Sequence, residues 1–485
     1  MKVNFRLILS LLGYLITGVG ALMLIPTVIE FFTNGRGLIT FLVLSILTMA
    51  LGLAFALSNN QERLFQLSIK DGLLLTTLSW LTVVIIGALP FYLGYLDLSF
   101  TDSFFEIMSG ITTTGATIIP DLSQLSDGYQ IWRALIQWVG GIGIIVTATI
   151  LFPSLQGGGM QLFKIEAFET FDVALDKVKR IANGMIIIYI VITIIVFFAL
   201  VFIGHLGTFD AVIHAFTSIS TAGFSNKNES VAYFNSLPVE IILIFAMITG
   251  GLPYMLMYYL AFLKKTQIFT DQQVKGYLQA LIFFITLLTV YLSLYNGIPF
   301  FTSLRYSAFT VVSLMTGTGY VNYNYLQLGS FAIALLFFIM FVGGCAGSTA
   351  CGIKIYRFQI AYSLGKSALN KIFLKKHFSI PYYNGKIIND EAGFAIFAYF
   401  FFLMLILAFT TLVLAGLNLD FVTALSAAVT CIMNVGPGLG NIVGPIGNFS
   451  TIPDVGKWVL AIGMLLGRLE ILGVIVLFNK RFWQS

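Results

Sequence analysis

A short glycine-centred loop occurs four times along this chain, each time between long apolar stretches, and no other feature restricts the fold as much. The copies read ITTTGAT (111–117), ISTAGFS (219–225), MTGTGYV (315–321) and IMNVGPG (432–438), with central glycines Gly115, Gly223, Gly319 and Gly436. They are in register beyond the glycine. Six residues before it stand Ser109, Thr217, Ser313 and Thr430, and four before it Ile111, Ile219, Met315 and Ile432. Non-helical backbone at membrane depth survives only where protein buries it or water lines it. Four versions of one loop therefore imply one shared axis. A ring of such loops is how a protein can filter cations, with backbone carbonyls replacing the ion's water shell. The candidate filter residues are Thr112, Thr113, Thr114 and Gly115; Ser220, Thr221, Ala222 and Gly223; Thr316, Gly317, Thr318 and Gly319; and Met433, Asn434, Val435 and Gly436.

The segments entering the loops are SFTDSFFEIMSGI, GTFDAVIHAFTSI, FTSLRYSAFTVVSLM and LDFVTALSAAVTCI. They are shorter than the roughly 20 apolar residues that cross a bilayer. They fit re-entrant half-helices whose negative dipole ends point at the loops. Glycine and hydroxyl residues also serve close helix packing, but four copies in register favour a common role.

Of the 485 residues, 58% are hydrophobic and 10% charged. A soluble domain carries about 25% charge, so the chain reads as an all-α polytopic membrane protein. Segment 5–32 is too long for a signal-peptide core and is expected to remain as a span. Cys345, Cys351 and Cys431 lie in membrane-depth segments and do not suggest a disulfide framework, and His205, His214 and His377 suggest no metal site. A membrane-embedded enzyme would need converging His, Asp or Glu at membrane depth, which the sequence does not offer.

Apolar runs predict ten spans, near 5–32, 38–57, 72–95, 128–152, 182–204, 237–263, 277–297, 328–356, 391–416 and 455–479. The repeating unit is span, half-helix, loop, span. It divides the chain into a leading hairpin (1–70), repeat 1 (71–160), repeat 2 (161–264), repeat 3 (265–358), a cytoplasmic linker (359–390) and repeat 4 (391–485). Most basic residues, from Lys2 and Arg6 to Lys480 and Arg481, fall on one side; only Arg36, Arg133, Lys227, Arg305 and Lys457 fall on the other. The positive-inside rule makes the first side cytoplasmic, with both termini inside and all four loops entering from outside. The outer side carries Glu30, Asp102, Glu106, Asp210, Glu240 and further acids, a bias that would concentrate cations at the mouth. The longest and most basic inner connection, 357–390, suits lipid headgroups or an acidic protein.

Repeat 3 has an additional break. Within 343–352, Gly343, Gly344, Cys345, Ala346, Gly347, Ser348, Thr349, Ala350, Cys351 and Gly352 cannot sustain a stiff helix. The other second spans have only the pairs Gly140-Gly141 and Gly250-Gly251. This asymmetry suggests a flexible loop below the filter, placed to obstruct the path. Arg468, about 20 Å along the last span at 1.5 Å per residue, needs a partner or a watery cavity. Glu470 points elsewhere, so loop carbonyls or pore water are the expected partners, unless Arg468 is a structural lock between helices.

The motifs TTTGA, STAGF, TGTGY, NVGPG, WRALIQWVGGIGI (132–144), GGCAGSTACGIK and GRLEIL extend over all four repeats. In them the chain resembles the TrkH/KtrB superfamily of bacterial potassium transporters, with the leading hairpin closest to TrkH. The resemblance implies four pseudo-symmetric M1–P–M2 repeats around one pore, in a homodimer of the bacterial inner membrane. It implies K+ uptake with no resident cofactor, K+ itself being the ion that the filter residues bind. The glycine of each loop would favour potassium over sodium, loop 343–352 would gate the pore, and Arg468 would face the cavity below the filter. It also implies a separate cytoplasmic TrkA-like ring of nucleotide-binding regulatory subunits, and no nucleic-acid partner. A sodium-conducting or sodium- or proton-coupled relative remains an alternative, although serine in place of Gly115 would favour it. An unrelated midplane-site secondary transporter would show inverted repeats rather than four parallel ones.

Overall fold

The computed structural model describes residues 3–58, 68–150, 171–373 and 380–484. Most of the inner connection 154–181 and part of 357–390 lie outside the described residues. The leading unit is a pair of apolar helices. Segment α1 (Phe5–Leu22) continues after a break at Met23 into α2 (Leu24–Thr33), and α3 (Leu38–Leu57) returns beside them. Gly13 and Gly52 allow the close approach: a Cβ on either would overlap the backbone of the facing helix.

The repeats follow. Repeat 1 is α4 (Ile69–Leu93), α5 (Phe100–Ile111) and α6 (Asp127–Ile150). Repeat 2 is α7 (Phe171–Phe202), α8 (Thr208–Ile219), α9 (Leu237–Gly250) and α10 (Tyr254–Leu263). Repeat 3 is α11 (Gln272–Leu294), α12 (Phe300–Thr316) and α13 (Ser330–Ile339), followed by an irregular stretch and α14 (Ile355–Phe373). A two-stranded hairpin, β1 (Tyr382–Tyr383) and β2 (Lys386–Ile387), precedes repeat 4. Repeat 4 is α15 (Asp390–Gly416), α16 (Phe421–Ile432), the short α17 (Gly440–Val443), α18 (Asp454–Arg468) and α19 (Ile471–Ile475), with α20 (Lys480–Gln484) after it.

The second spans depart from the expected single helices. Span 237–263 bends by 92° between α9 and α10, where Pro253 cannot donate a helical hydrogen bond, and span 455–479 bends by 110° after Arg468. Span 328–356 loses its helix after Ile339 and regains one only at Ile355. Breaks therefore occur in repeats 2, 3 and 4, not in repeat 3 alone. Gly140-Gly141, in contrast, stays inside α6. The described residues of linker 359–390 hold most of α14 and the hairpin. An Asn384-Gly385 turn with both φ angles positive closes that hairpin.

The half-helices α5, α8, α12 and α16 sit at the centre. Every residue from Ser103 to Ile111 of α5 is buried. Each half-helix packs between the spans of its own repeat. Three also meet a neighbouring repeat's second span: α8 against α6, α12 against α9 and α5 against α18. The repeats thus enclose one axis. Among the described residues, six helices, or eight counting the two bent pairs, are long and apolar enough to cross a membrane. In α6, Arg133 and Gln137 are buried and face protein rather than lipid.

Candidate functional site

Each half-helix ends in the same hydrogen-bonded turn. The residue before the glycine donates its N–H to the carbonyl of the hydroxyl residue five positions earlier: Thr114 to Ser109 (2.8 Å), Ala222 to Thr217 (2.9 Å), Thr318 to Ser313 (2.9 Å) and Val435 to Thr430 (2.9 Å). Two positive φ angles, separated by one residue, turn the chain away from the helix. They fall at Thr113 and Gly115, Thr221 and Gly223, Gly317 and Gly319, and Asn434 and Gly436. The four loops close a ring at the glycines. A Cβ on Gly115 would overlap the carbonyl oxygen of Ala222, one on Gly223 that of Thr318, and one on Gly319 that of Val435; one on Gly436 would lie 2.6 Å from that of Thr114. Loop 1 touches loop 2, then 3, then 4, and loop 4 returns to loop 1. The residues preceding the glycines are buried, whereas Gly115, Gly223 and Gly319 keep partial access to open space.

Second-span glycines brace the ring from behind. Gly140, Gly250 and Gly467 each lie where a Cβ would crowd a carbonyl four positions before the loop glycine: that of Ile111, Ile219 and Ile432 respectively. Gln137 of α6 donates to the carbonyl of Ala222 (2.8 Å) and accepts from the N–H of Phe224 (3.0 Å). Asn434 donates to Thr114 Oγ1 and to the carbonyl of Met464, both at 2.9 Å. The hydroxyl of Thr217 pairs with that of Tyr320, joining repeats 2 and 3. His214 bonds to the Asp210 carbonyl and to Ser225, a packing role.

The outer acids are largely occupied. Buried Glu106 accepts from Arg133 Nε (2.8 Å), Thr117 (3.0 Å) and the N–H of Ile118 (2.9 Å), while Arg133 also donates to the Ser225 carbonyl (3.2 Å). Glu240 pairs with Arg305 (2.7 Å), and Asp102 with Lys457 (2.5 Å). The Glu106–Arg133 pair lies within repeat 1, with Arg133 reaching repeat 2 through Ser225, whereas the other two pairs join repeat 2 to 3 and 4 to 1. A cation-concentrating mouth built on Asp102, Glu106 and Glu240 therefore needs correction, because their charges are neutralised by partners from α6, α12 and α18.

Beneath the ring lies the stretch between α13 and α14. Its two ends pair, with the N–H of Gly343 on the Ile353 carbonyl (2.9 Å) and that of Ile353 on Phe341 (3.0 Å). Its tip reaches every repeat. The hydroxyl of Thr349 donates to the Ile219 carbonyl (2.9 Å), and the N–H groups of Cys351 and Gly352 donate to Thr316 (3.1 Å) and Met433 (3.0 Å). Cys351 Sγ lies 3.3 Å from Thr113 Oγ1. Cys345 donates to Gly251 and Gly347 accepts from Tyr254, so the break between α9 and α10 also holds the loop. All three cysteines are free thiols.

Arg468 is the last residue of α18, directly before the bend. Its Nη1 donates to the Thr349 carbonyl (3.1 Å) and to Cys351 Sγ (2.9 Å), while Nε and Nη2 have no hydrogen-bond partner among the described residues. Glu470 turns away with a positive φ and pairs with Arg357. A cavity of about 40 Å³, lined by Cys351, Lys354, Asn434, Arg468 and Glu470 among others, lies on the inner side of the loop. Sequence reasoning missed Gln137, Lys354 and Arg357. Gln137 was detectable as an uncharged polar residue within the apolar WRALIQWVGG run. Among the described residues no group of His, Cys, Asp and Glu could hold a metal ion.

The family described as a cation transport protein, TrkH, matches residues 39–485. The Trk system potassium uptake protein TrkI of Halomonas elongata is 42% identical over 414 residues, covering 85% of this chain and 83% of that protein. The Trk system potassium uptake protein TrkG of Escherichia coli is 30% identical over 488 residues, covering 99% of both. The crystal structure of the potassium transporter TrkH from Vibrio parahaemolyticus superposes with a TM-score of 0.90 at 27% identity, covering 99% of this chain and 100% of that one.

Proposed function

Because the chain belongs to the TrkH family of cation transport proteins, we propose that it carries K+ into a bacterial cell through the axis of the four-loop ring. The observation that carries this reading is the cyclic contact of each loop glycine with the carbonyl of the next repeat. It leaves a narrow backbone-lined passage at the C-terminal ends of four half-helices, where the dipoles favour a cation. The carbonyls of 112–115, 220–223, 316–319 and 433–436 replace the water shell, and the glycines keep side chains out of the path. Loop 343–352 is the gate, since its tip meets all four loops from below, and Arg468 adds a positive barrier at the same level.

The 1–70 hairpin and the repeats 71–160, 161–264, 265–358 and 391–485 form one pore unit of a homodimer in the bacterial inner membrane. Both termini and the 359–390 connection face the cytoplasm, where lipid headgroups and a TrkA-like nucleotide-binding ring are the expected contacts. The names of the relatives, each part of a Trk system for potassium uptake, support such a partner.

The test is ion flux into liposomes holding the purified protein, with and without residues 345–350. Faster K+ flux in the shortened protein, with the preference over Na+ unchanged, is expected. A folded deletion that conducts no faster moves the gate elsewhere, and Na+ carried as well as K+ by the intact protein rejects the filter assignment.

A further inference from the structure

The gating loop is held from outside the ring by residues that the transport path does not use. Buried Gln273, in the first turn of α11, accepts the N–H of Ala346 at 2.6 Å through Oε1. Its own N–H is capped by Asp271 (2.9 Å). The hairpin between α14 and α15 grips the same turn. Asn384 accepts from the N–H of Gln272 (2.9 Å), donates its own N–H to Gln272 Oε1 (2.9 Å), and donates from Nδ2 to Asp271 (2.8 Å). Gln359 of α14 adds a bond to the Gln272 carbonyl (2.8 Å). Packing repeats the connection: Ala346 of the loop shares a small apolar cluster with Tyr356, Ile360, Tyr383 and Ile388, two of which belong to the hairpin and its flank.

We propose that Gln273 and Asn384 are positioning residues of the gate. The 381–388 hairpin fixes the N-terminal turn of α11, and Gln273 passes that placement to Ala346, keeping the loop against the ring. The inference rests on loop 343–352 being the gate. The hairpin is thus a handle on which a cytoplasmic force would act, two hydrogen-bonded steps from the path. The geometry suits this role. Asn384 occupies a left-handed turn position (φ +46°), which points its backbone and side chain together at one helix end. The hairpin strands are exposed apart from Tyr383, and among the described residues the hairpin makes no hydrogen bond to the filter loops that would alter selectivity directly.

The experiment uses full-length protein in liposomes, with K+ and Na+ flux per folded protein and melting temperature recorded together. Gln273→Met keeps the volume and removes the acceptor. Gln273→Glu restores an acceptor. Asn384→Gly preserves the left-handed turn that glycine favours and removes the side-chain bonds. Losing one net hydrogen bond of ordinary strength corresponds to about a five-fold change in an equilibrium. Gln273→Met and Asn384→Gly should therefore each raise K+ flux about five-fold, with the K+/Na+ ratio unchanged and Gln273→Glu near the parent. If both folded variants conduct at the parental rate while the 345–350 deletion still conducts faster, the linkage is overturned and the gate stands. If the deletion also changes nothing, the gate assignment falls, and the linkage with it. An altered K+/Na+ ratio in Asn384→Gly overturns the linkage as well, since the effect would then reach the ring.

Discussion

Gly223 occupies the tightest point of the ring: a Cβ there would sink furthest into a neighbouring carbonyl, and its φ of +79° disfavours any side chain. The obstacle is backbone, so it cannot swing aside as a long side chain would. Alanine at Gly223 should abolish discrimination between K+ and Na+ or prevent assembly. Alanine at Gly436, where the clearance is 2.6 Å, should weaken discrimination least, and Gly115→Ser should fall between. Reversal potentials under mixed K+ and Na+ would rank them; equal losses in all three variants would mean the contacts do not set selectivity. Arg468 separates two roles. As a barrier, Arg468→Ala raises K+ flux in a protein that still assembles. As a lock, it strands the Thr349 carbonyl at a cost of about 1–3 kcal/mol and lowers the melting temperature. We expect higher flux, and a variant both unstable and inactive would reject the barrier role.

Short helices buried on every side need their ends held by neighbours. The α5 half-helix is held by the Glu106–Arg133 pair, with relative exposures of 0% and 2%. Removing one partner of a buried pair leaves the other uncompensated, which costs about 3–5 kcal/mol. Arg133→Leu should therefore destabilise the protein by that amount, and Glu106→Gln/Arg133→Leu together should recover part of it, as read by thermal unfolding in detergent. At the outer end of repeat 1, Asp121 accepts from Asn228 (2.9 Å) and from Ser123, and these bonds lower its carboxyl from 3.8 to about 2. A carboxylate with a lowered folded value stabilises above its unfolded value and loses that contribution as pH falls. The link between the outer loops of repeats 1 and 2 should thus hold at pH 5 and loosen between about pH 4 and 2, and Asp121→Asn should remove this step from the pH profile of melting.

Over the whole molecule, one repeat gives up symmetry so that the ring can be closed from below. Repeats 1, 2 and 4 press a second-span glycine against the ring, while repeat 3 replaces that helix with a loop that reaches all four half-helices. The one-sided basic residues make cytoplasmic termini the expected orientation. Single cysteines at the exposed positions Gln124 and Lys371 should be labelled from outside and from inside respectively in intact cells and inverted vesicles. Outside labelling at position 371 would overturn it.

Local order alone determined a good deal. Four in-register loops, half-helices too short to span, and an apolar composition specify the repeat architecture and the ring residues, because these signals lie within a few positions of one another. The glycines at 343–352 marked the break for the same reason. Tertiary structure decided what depends on residues distant in the chain. The bends after Gly250 and Arg468 stand in apolar runs that read as continuous spans, and each is held by hydrogen bonds to loop 343–352 from a different repeat. The occupancy of Glu106 depends on Arg133, which meets it only when α6 folds back on α5, and that of Glu240 on Arg305, which meets it only when repeats 2 and 3 pack side by side. Gln137 stands out locally as a polar residue in an apolar run, but its partner, like those of Gln273 and Asn384, is set by a hydrogen bond spanning from 73 to 112 positions. The Asn384-Gly385 pair did signal a tight hairpin, but the helix end against which it rests is set by folding, since burial of backbone polar groups demands a partner wherever in the chain it lies.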